Sequence, residues 1–118
     1  MALTTRQIKF AAIETSAGSG DYVIVEAATN QIGETCRIKV CDYVIIVDSA
    51  QQVYWSDGGS ASPLTGKMSF AANGGISSPK GSPVIGPILQ TSPGKDLVLT
   101  VLTTGGSACG HLSYYLEP

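Results

Sequence analysis

The chain has 118 residues, of which 43% are hydrophobic and only 14% charged, and its formal net charge at pH 7 is −2. This length fits one domain spanning residues 1–118, and the charged share is low against the roughly 25% typical of soluble domains. The sequence has no basic cluster, which argues against a nucleic-acid partner. The longest apolar run, residues 43–47, is too short to cross a bilayer, and the N-terminus has no signal-peptide pattern. We therefore expect a protein made in a cytoplasm, with no nucleic-acid or membrane partner, whose weakly charged surface contacts other chains.

Short segments with a period of two residues recur along the chain, separated by glycine, proline, serine and aspartate. This pattern is typical of β-strands joined by turns. In chain order, the predicted strands cover residues 8–13, 22–25, 35–40, 43–47, 52–55, 64–70, 84–91, 97–102 and 111–117. About eight strands in one domain predict an all-β fold, an antiparallel sandwich of two sheets of jelly-roll type.

The faces of these strands differ in polarity. Residues 35–40, 64–70 and 111–117 are apolar on one face only, as expected for a sheet with one solvated side. Residues 22–25, 43–47 and 97–102 are apolar on both faces, so each needs a second cover: a neighbouring subunit, a loop or the N-terminal segment. Pro87 places its strand at a sheet edge or a bulge, and the glycines and prolines of residues 73–83 predict an ordered surface loop.

Candidate catalytic and metal-binding groups are sparse. His111 is the only histidine, and the carboxylates are scattered singly, which does not suit acid–base pairs. Cys36, Cys41 and Cys109 are odd in number and lack a C-x-x-C pair, which argues against a disulfide framework and a zinc site. Asp21 and Asp57 lie in glycine-rich turns that could bind calcium, although capping of the turn is the simpler interpretation. We predict no enzyme activity, no cofactor and no metal.

Tyr54 and Trp55 are adjacent, so they point to opposite faces of one predicted strand. One ring should then lie in the core. The other could form an exposed platform that stacks on a sugar ring or on a partner chain.

The C-terminal two-thirds of the chain carries an ordered series of motifs. Residues 63–79 read PLTGKMSFAANGGISSP, residues 93–100 read PGKDLVLT, and residues 110–115 read GHLSYY. In order and spacing these motifs resemble a group of small virion proteins of tailed bacteriophages, which includes capsid decoration (cement) proteins of jelly-roll or β-sandwich fold. The resemblance covers roughly residues 53–115. It departs from the group at residues 84–87, VIGP, where many members have an aromatic stretch.

The resemblance implies a structural virion protein that lies on the capsid surface, assembles as a homotrimer and bridges units of the major capsid protein. The expected contact regions are residues 1–10, which form either an arm across a neighbour or an ordinary edge strand, and loops 56–63 and 73–83. The contact candidates within and beside these regions are Leu3, Arg6, Ile8, Phe10, Tyr54, Trp55, Asp57, Asn73, Ile76 and Pro79.

Two alternative functions stay open at the level of sequence. The first is a host-glycan-binding module of a phage tail or fibre, carried by Tyr54, Trp55 and the loop of Asp57. The second is a head-completion or tail component.

Overall fold

The computed structural model describes residues 7–16, 18–29 and 33–118. Within these ranges the regular structure consists of β-strands, and helices are absent. The strands are β1 (Lys9–Glu14), β2 (Gly20–Val25), β3 (Arg37–Val47), β4 (Gln51–Asp57), β5 (Met68–Phe70), β6 (Gly75–Ser77), β7 (Leu89–Gln90), β8 (Leu97–Val101) and β9 (Ala108–Glu117). The predicted all-β class is therefore confirmed.

The antiparallel strand pairs are nested inside one another. β1 pairs with β9, β2 with β8, β3 with β6, and β4 with β5. Two further pairings, β3 with β9 and β4 with β8, join these ribbons into two sheets. Sheet A has the order β1-β9-β3-β6, with the short β7 on the other half of β3, and sheet B has the order β2-β8-β4-β5. Eight strands in nested pairs that fold over into two facing sheets form a jelly roll, as predicted.

The core lies between the two sheets and contains the inward-facing residues of each strand. Its fully buried side chains include Ile38 and Ile45 from sheet A and Trp55 and Leu99 from sheet B. The Trp55 ring meets the Tyr43 ring edge-on, with centroids 5.4 Å apart and planes at 75°, a favourable arrangement for aromatic pairs. Each such aliphatic or aromatic side chain stabilises the fold by roughly 1.5–3 kcal/mol on burial.

Residues 35–40 and 43–47 form parts of one long strand rather than two. β3 runs unbroken over eleven residues, and its register against β9 shifts between Val40 and Asp42. The extra residue, Cys41, forms a bulge, so Val40 and Cys41 are buried one after the other. The two predicted strands are therefore one strand, interrupted by this bulge.

Residues 64–70 form a shorter strand than predicted, because only Met68–Phe70 pair with β4. The Trp55 backbone N–H donates instead to the side-chain hydroxyl of Thr65, at 3.0 Å. A local hydroxyl here replaces the carbonyl of a partner strand. The predicted inward face is nevertheless right, since Leu64, Met68 and Phe70 pack against the core.

The chain between residues 73 and 91 also differs from the prediction. The expected loop 73–83 contains β6, which pairs with the Val44–Ile46 part of β3. Of the expected strand 84–91 only Leu89–Gln90 is a strand, at the edge of sheet A, and Pro87 lies just before it. β6 is short and β7 is shorter still, so neither offers an alternating pattern long enough to be recognised.

Candidate interaction surfaces

The outer face of sheet B is covered by the chain itself. Tyr54, Ser56, Val98 and Thr100 point away from the core, yet all four are buried. Residues 58–61, which we call the covering loop, follow β4 and meet this face at Tyr54 and Asp21, and residues 62–65 then run beside β4. The covering loop is tied at its base, where the Asp57 N–H donates to the Ser62 carbonyl at 2.7 Å.

Side-chain hydrogen bonds hold this covering loop in place. The Tyr54 hydroxyl donates to the Ser60 carbonyl at 3.0 Å, and the Ser60 N–H donates to Asp21 Oδ2 at 3.2 Å. Asp21 Oδ1 accepts the Thr100 hydroxyl at 2.8 Å, and the Thr100 and Ser56 hydroxyls are themselves 2.8 Å apart. The second cover required by residues 97–102 is therefore a loop of the same chain.

The expected exposed aromatic platform is wrong. Trp55 lies in the core at 0% exposure, and Tyr54 lies beneath the covering loop at 8%. The two rings do point to opposite faces, as predicted, but both faces are covered. Neither ring is available to stack on a sugar or on a partner.

Asp57 and Asp21 both serve to hold loops. The carboxylate of Asp57 accepts the backbone N–H of Ser92 at 3.1 Å and its hydroxyl at 2.6 Å. Asp21 links β8 to the covering loop as described. The hydrogen-bond partners described for both carboxylates belong to distant segments and not to the residues' own turns, so local turn capping is not what these contacts show.

An open groove lies between the start of the covering loop and residues 94–96. It is lined by Asp57, Gly58, Gly59, Ala61, Ser62, Gly94, Lys95 and Asp96. Its carboxylates are engaged by the protein: Asp57 by Ser92, and Asp96 by the Ala27 N–H at 2.7 Å. Among the described residues there is no cluster of three His, Cys, Asp or Glu side chains suited to a metal ion.

The outer face of sheet A has no such cover within the described part of the chain. Cross-strand neighbours there are Glu14, Cys109 and Ile46 in one row, and Ala12, His111 and Val44 in the next. A third row contains Phe10, Ser113 and Asp42. Phe10 is 76% exposed and Ile46 52% exposed. On this surface, which we call the bare face, Phe10 and Ala12 of β1 and Val44 and Ile46 of β3 are apolar, and the β9 residues between them include His111 and Ser113.

Charged groups bound the bare face on one side. The Asp42 carboxylate accepts the Ser113 hydroxyl at 2.8 Å and the Lys80 ammonium at 3.2 Å. Burial raises the pKa of the Asp42 carboxyl, but these two partners outweigh burial and hold its pKa below the usual value. Burial, and then the charge of Asp42, raises the pKa of the neighbouring Cys41 thiol. Cys41 and Cys36 are buried free thiols, whereas Cys109 is exposed on the bare face.

A rigid apolar tip projects from the edge of sheet A at residues 82–86. The Ser82 N–H donates to the Gly86 carbonyl at 3.0 Å, the Gly86 N–H returns to the Ser82 carbonyl at 2.7 Å, and the Ser82 hydroxyl accepts the Val84 and Ile85 N–H groups. Both sides of its base bond to the bulge region of β3. Val84 is 93% exposed and Ile85 75% exposed. Sequence reasoning missed this tip, although Pro83 and Gly86 on either side of the aliphatic pair were a usable turn signal.

The remaining contact candidates are scattered over different surfaces. Asn73, with φ of 62°, forms a tight turn that the Gly74 N–H closes onto the Ala71 carbonyl at 2.9 Å. Asn73, Ile76 and Pro79 are exposed at the β6 edge of sheet A, opposite the β1 edge that carries Ile8 and Phe10. Leu3 and Arg6 lie outside the described residues, as does most of the expected arm 1–10. Lys9 and Phe10 belong to β1, an edge strand of the sheet.

These features define a class of protein: a jelly-roll sandwich in which the outer face of one sheet is mostly buried and that of the other carries exposed apolar side chains. Within the described residues, no helix is long and apolar enough to span a bilayer.

A solved structure shares this fold. The chain is similar to a chain of the capsid asymmetric unit of cyanophage Pam1, with a TM-score of 0.60 and 12% sequence identity. The alignment covers 99% of this chain and 90% of that chain. No protein-family model matches the sequence, and no curated protein shows significant similarity to it.

Proposed function

We propose that this chain is a structural protein of a bacteriophage virion, and specifically a decoration protein on the outer surface of the capsid. The observation that carries the proposal is the contrast between the two sheets. On the outer face of sheet B, Tyr54, Ser56, Val98 and Thr100 are buried and, among their apolar neighbours, the edge residue Val23 is exposed, whereas the bare face of sheet A leaves Phe10 and Ile46 exposed on the two sides of β9. Large exposed apolar side chains gathered on one sheet face are typical of a contact with another macromolecule.

The likeness to the Pam1 capsid chain supports the same proposal. The alignment spans 99% of this chain and 90% of that chain, so the likeness in fold extends over nearly all of both. A phage capsid therefore contains a component of this size and fold. By analogy, the present chain is made in a host cytoplasm and joins the virion as an accessory part of the shell.

The physical task of such a protein needs no catalysis, and we propose a non-enzymatic role. The bare face binds the major capsid protein across neighbouring units, so it stabilises the assembled shell by mass action. Many copies on one shell, and three copies in a homotrimer, add the gain of multivalency. A rigid sandwich loses little conformational freedom on docking.

Binding to capsids that lack the protein tests this proposal. We expect the purified chain to co-sediment with such capsids, and Ile46→Asp on the bare face to weaken binding at least tenfold, since a charge would enter an apolar contact. The matched control is Val23→Asp on sheet B, because Val23 is exposed to nearly the same extent, 51% against 52%. Thermal unfolding establishes that both variants are folded. Wild-type protein that fails to bind, or equal losses for the two variants, would contradict the proposal.

The two alternative functions predict different results. A glycan-binding module would retain specific sugars on an array, but its proposed aromatic platform is buried at Tyr54 and Trp55. A head-completion or tail component would appear as a ring with a lumen in electron micrographs. Either result in place of capsid binding would replace the proposal.

A further inference from the structure

Asn73 and Gly74 form an asparagine–glycine pair at the turn between β5 and β6, with the asparagine exposed to solvent. Such a pair carries its own chemistry. The backbone nitrogen of the glycine, which no side chain shields, can attack the side-chain carbonyl carbon of the asparagine. The new bond closes a succinimide ring, and the side-chain nitrogen leaves as ammonia with the proton that the backbone nitrogen loses. Water then opens the ring to give aspartate or isoaspartate.

The turn holds the two reacting atoms apart. Among the described non-glycine residues only Asn73 has a positive φ, 62°, and the Gly74 N–H donates to the Ala71 carbonyl at 2.9 Å. These features define a type II turn, whose third residue has a ψ near 0°. At that ψ the Gly74 nitrogen is rotated out of the plane that a five-membered ring through the asparagine side chain requires. Ring closure therefore has to break the turn.

Strand β3 fixes Gly74 from the other side. The Val47 N–H donates to the Gly74 carbonyl at 2.9 Å, so both backbone polar groups of Gly74 are bonded. The next residue, Gly75, lies so close to β3 that a Cβ atom there would overlap the backbone carbonyl oxygen of Ile45. Gly74 cannot turn toward the asparagine side chain while β6 stays on β3.

We propose that Asn73 is a site of spontaneous deamidation that reacts when β6 leaves β3. β6 has three residues, all of them exposed, at the edge of sheet A, and such elements open at a lower free energy than the core does. Isoaspartate adds one carbon to the backbone between residues 73 and 74, so the turn and the Val47 bond cannot both reform. The Val44–Ile46 edge of β3 then stays unpaired. This inference does not depend on the proposed function.

A single tryptic peptide reports the reaction. Cleavage after Lys67 and Lys80 releases residues 68–80, MSFAANGGISSPK, in which Asn73 is the only side-chain amide. Mass spectrometry of this peptide follows the mass gain from amide to acid. In the same mildly alkaline buffer, the folded protein should react at least about tenfold more slowly than the chain unfolded in urea, since only the open fraction reacts. Equal rates in the two states would overturn the inference.

A substitution that displaces β6 gives the second test. Gly75→Ala places a methyl group against β3 and should speed deamidation of Asn73 in the otherwise folded protein. The matched control is Gly66→Ala, because nothing lies within 4 Å of a Cβ at that position, and it should react at the wild-type rate. Circular dichroism establishes that both variants are folded. A folded Gly75→Ala protein that reacts no faster than the wild type would contradict the inference.

The wild-type protein supplies an independent measurement should Gly75→Ala fail to fold. The Val47 amide is released when β6 opens, so its hydrogen exchange reports that opening. Across urea concentrations below the unfolding transition, the rate of deamidation should rise in proportion to the exchange rate of Val47. Deamidation that stays constant while Val47 exchange accelerates would show that the turn does not control the reaction.

Discussion

Gly110 is a residue at which the sandwich tolerates no side chain. It lies in β9 opposite Ile13 on one side and Ile45 on the other, with a φ of 154°. A Cβ atom at this position would overlap the backbone carbonyl oxygen of Val44. β9 and β3 therefore approach each other closely here because residue 110 is glycine. The glycine of the closing GHLSYY motif has a packing role in the middle of sheet A.

Replacement of Gly110 by alanine should destabilise the protein by about 3 kcal/mol, since the central pair of sheet A must separate or shift to admit a methyl group. Urea unfolding monitored by circular dichroism measures the change. Gly66→Ala is the matched control, because nothing lies within 4 Å of a Cβ at that exposed position, and it should change stability by less than about 0.5 kcal/mol. Equal stabilities of the two variants would show that the strands adjust freely.

Asp48 gives the fold a defined response to acid. Its carboxylate accepts the Ser107 backbone N–H at 2.7 Å and the Ser107 hydroxyl at 2.9 Å. These bonds, the backbone one first, lower the pKa of Asp48 in the folded protein. In the unfolded chain the pKa of the Asp48 carboxyl is about 3.9. The contribution of Asp48 to stability is thus present above that value and is lost as the pH falls through the lower, folded-state value.

Asp48→Asn should therefore be less stable than the wild type at pH 7, and the difference should shrink below about pH 4, where the carboxyl becomes protonated first in the unfolded chain and, at lower pH, in the folded protein. Denaturant unfolding at a series of pH values from 7 to 3 measures both effects. A constant difference across the whole series would show that Asp48 acts by packing and not through its charge.

At the scale of elements, the covering loop is a unit whose position depends on distant side chains. Asp21 in β2 joins it through Ser60 and joins β8 through Thr100. These contacts connect residues far apart in the sequence, so the loop closes only once β2, β4 and β8 are assembled. The outward face of β8, which is apolar on both sides, is thus buried once the loop is in place.

Asp21→Ala should open this loop while leaving the two sheets intact. The Ser60 amide loses its acceptor, so we expect its hydrogen exchange to accelerate, with a loss of roughly 1 kcal/mol in global stability. Hydrogen exchange measured by NMR reports the amide, and Glu14→Ala, which removes an exposed carboxylate at the edge of sheet A, is the control. Unchanged exchange at Ser60 would mean that the Tyr54 hydrogen bond alone holds the loop.

The sequence predicted the elements that carry long alternating patterns and missed those that do not. Ile38 and Val40 in β3 and Leu112 in β9 were assigned to the inward face, and they are buried there. β6 and β7 are too short to alternate, and the bulge at Cys41 breaks the alternation, so residues 35–40 and 43–47 read as two strands. β6 and β7 are fixed by pairing with β3, and the bulge lies where β3 pairs with β9, so all three depend on long-range partners that local patterns do not reveal.

At the scale of the whole molecule, fold class was more predictable than function. Residues 43–47 and 97–102 are both apolar on two faces, and the sequence gives no sign that they differ. The structure shows that Val98 lies beneath the chain's own loop, whereas Ile46 is exposed. The location of the candidate site depends on which face a distant loop covers. Which face the loop covers is determined only by the three-dimensional arrangement of the chain. The prediction of an exposed aromatic platform at Tyr54 or Trp55 was wrong for the same reason.

The central position of β9 has a consequence for synthesis. This strand binds β1 and β3 at the same time, so sheet A cannot form until residues 108–117 have left the ribosome. Until then the apolar inner side of sheet B has no facing layer, and the nascent chain remains exposed to chaperones and proteases. A premature stop anywhere before β9 would therefore yield an unfolded fragment rather than a smaller sandwich.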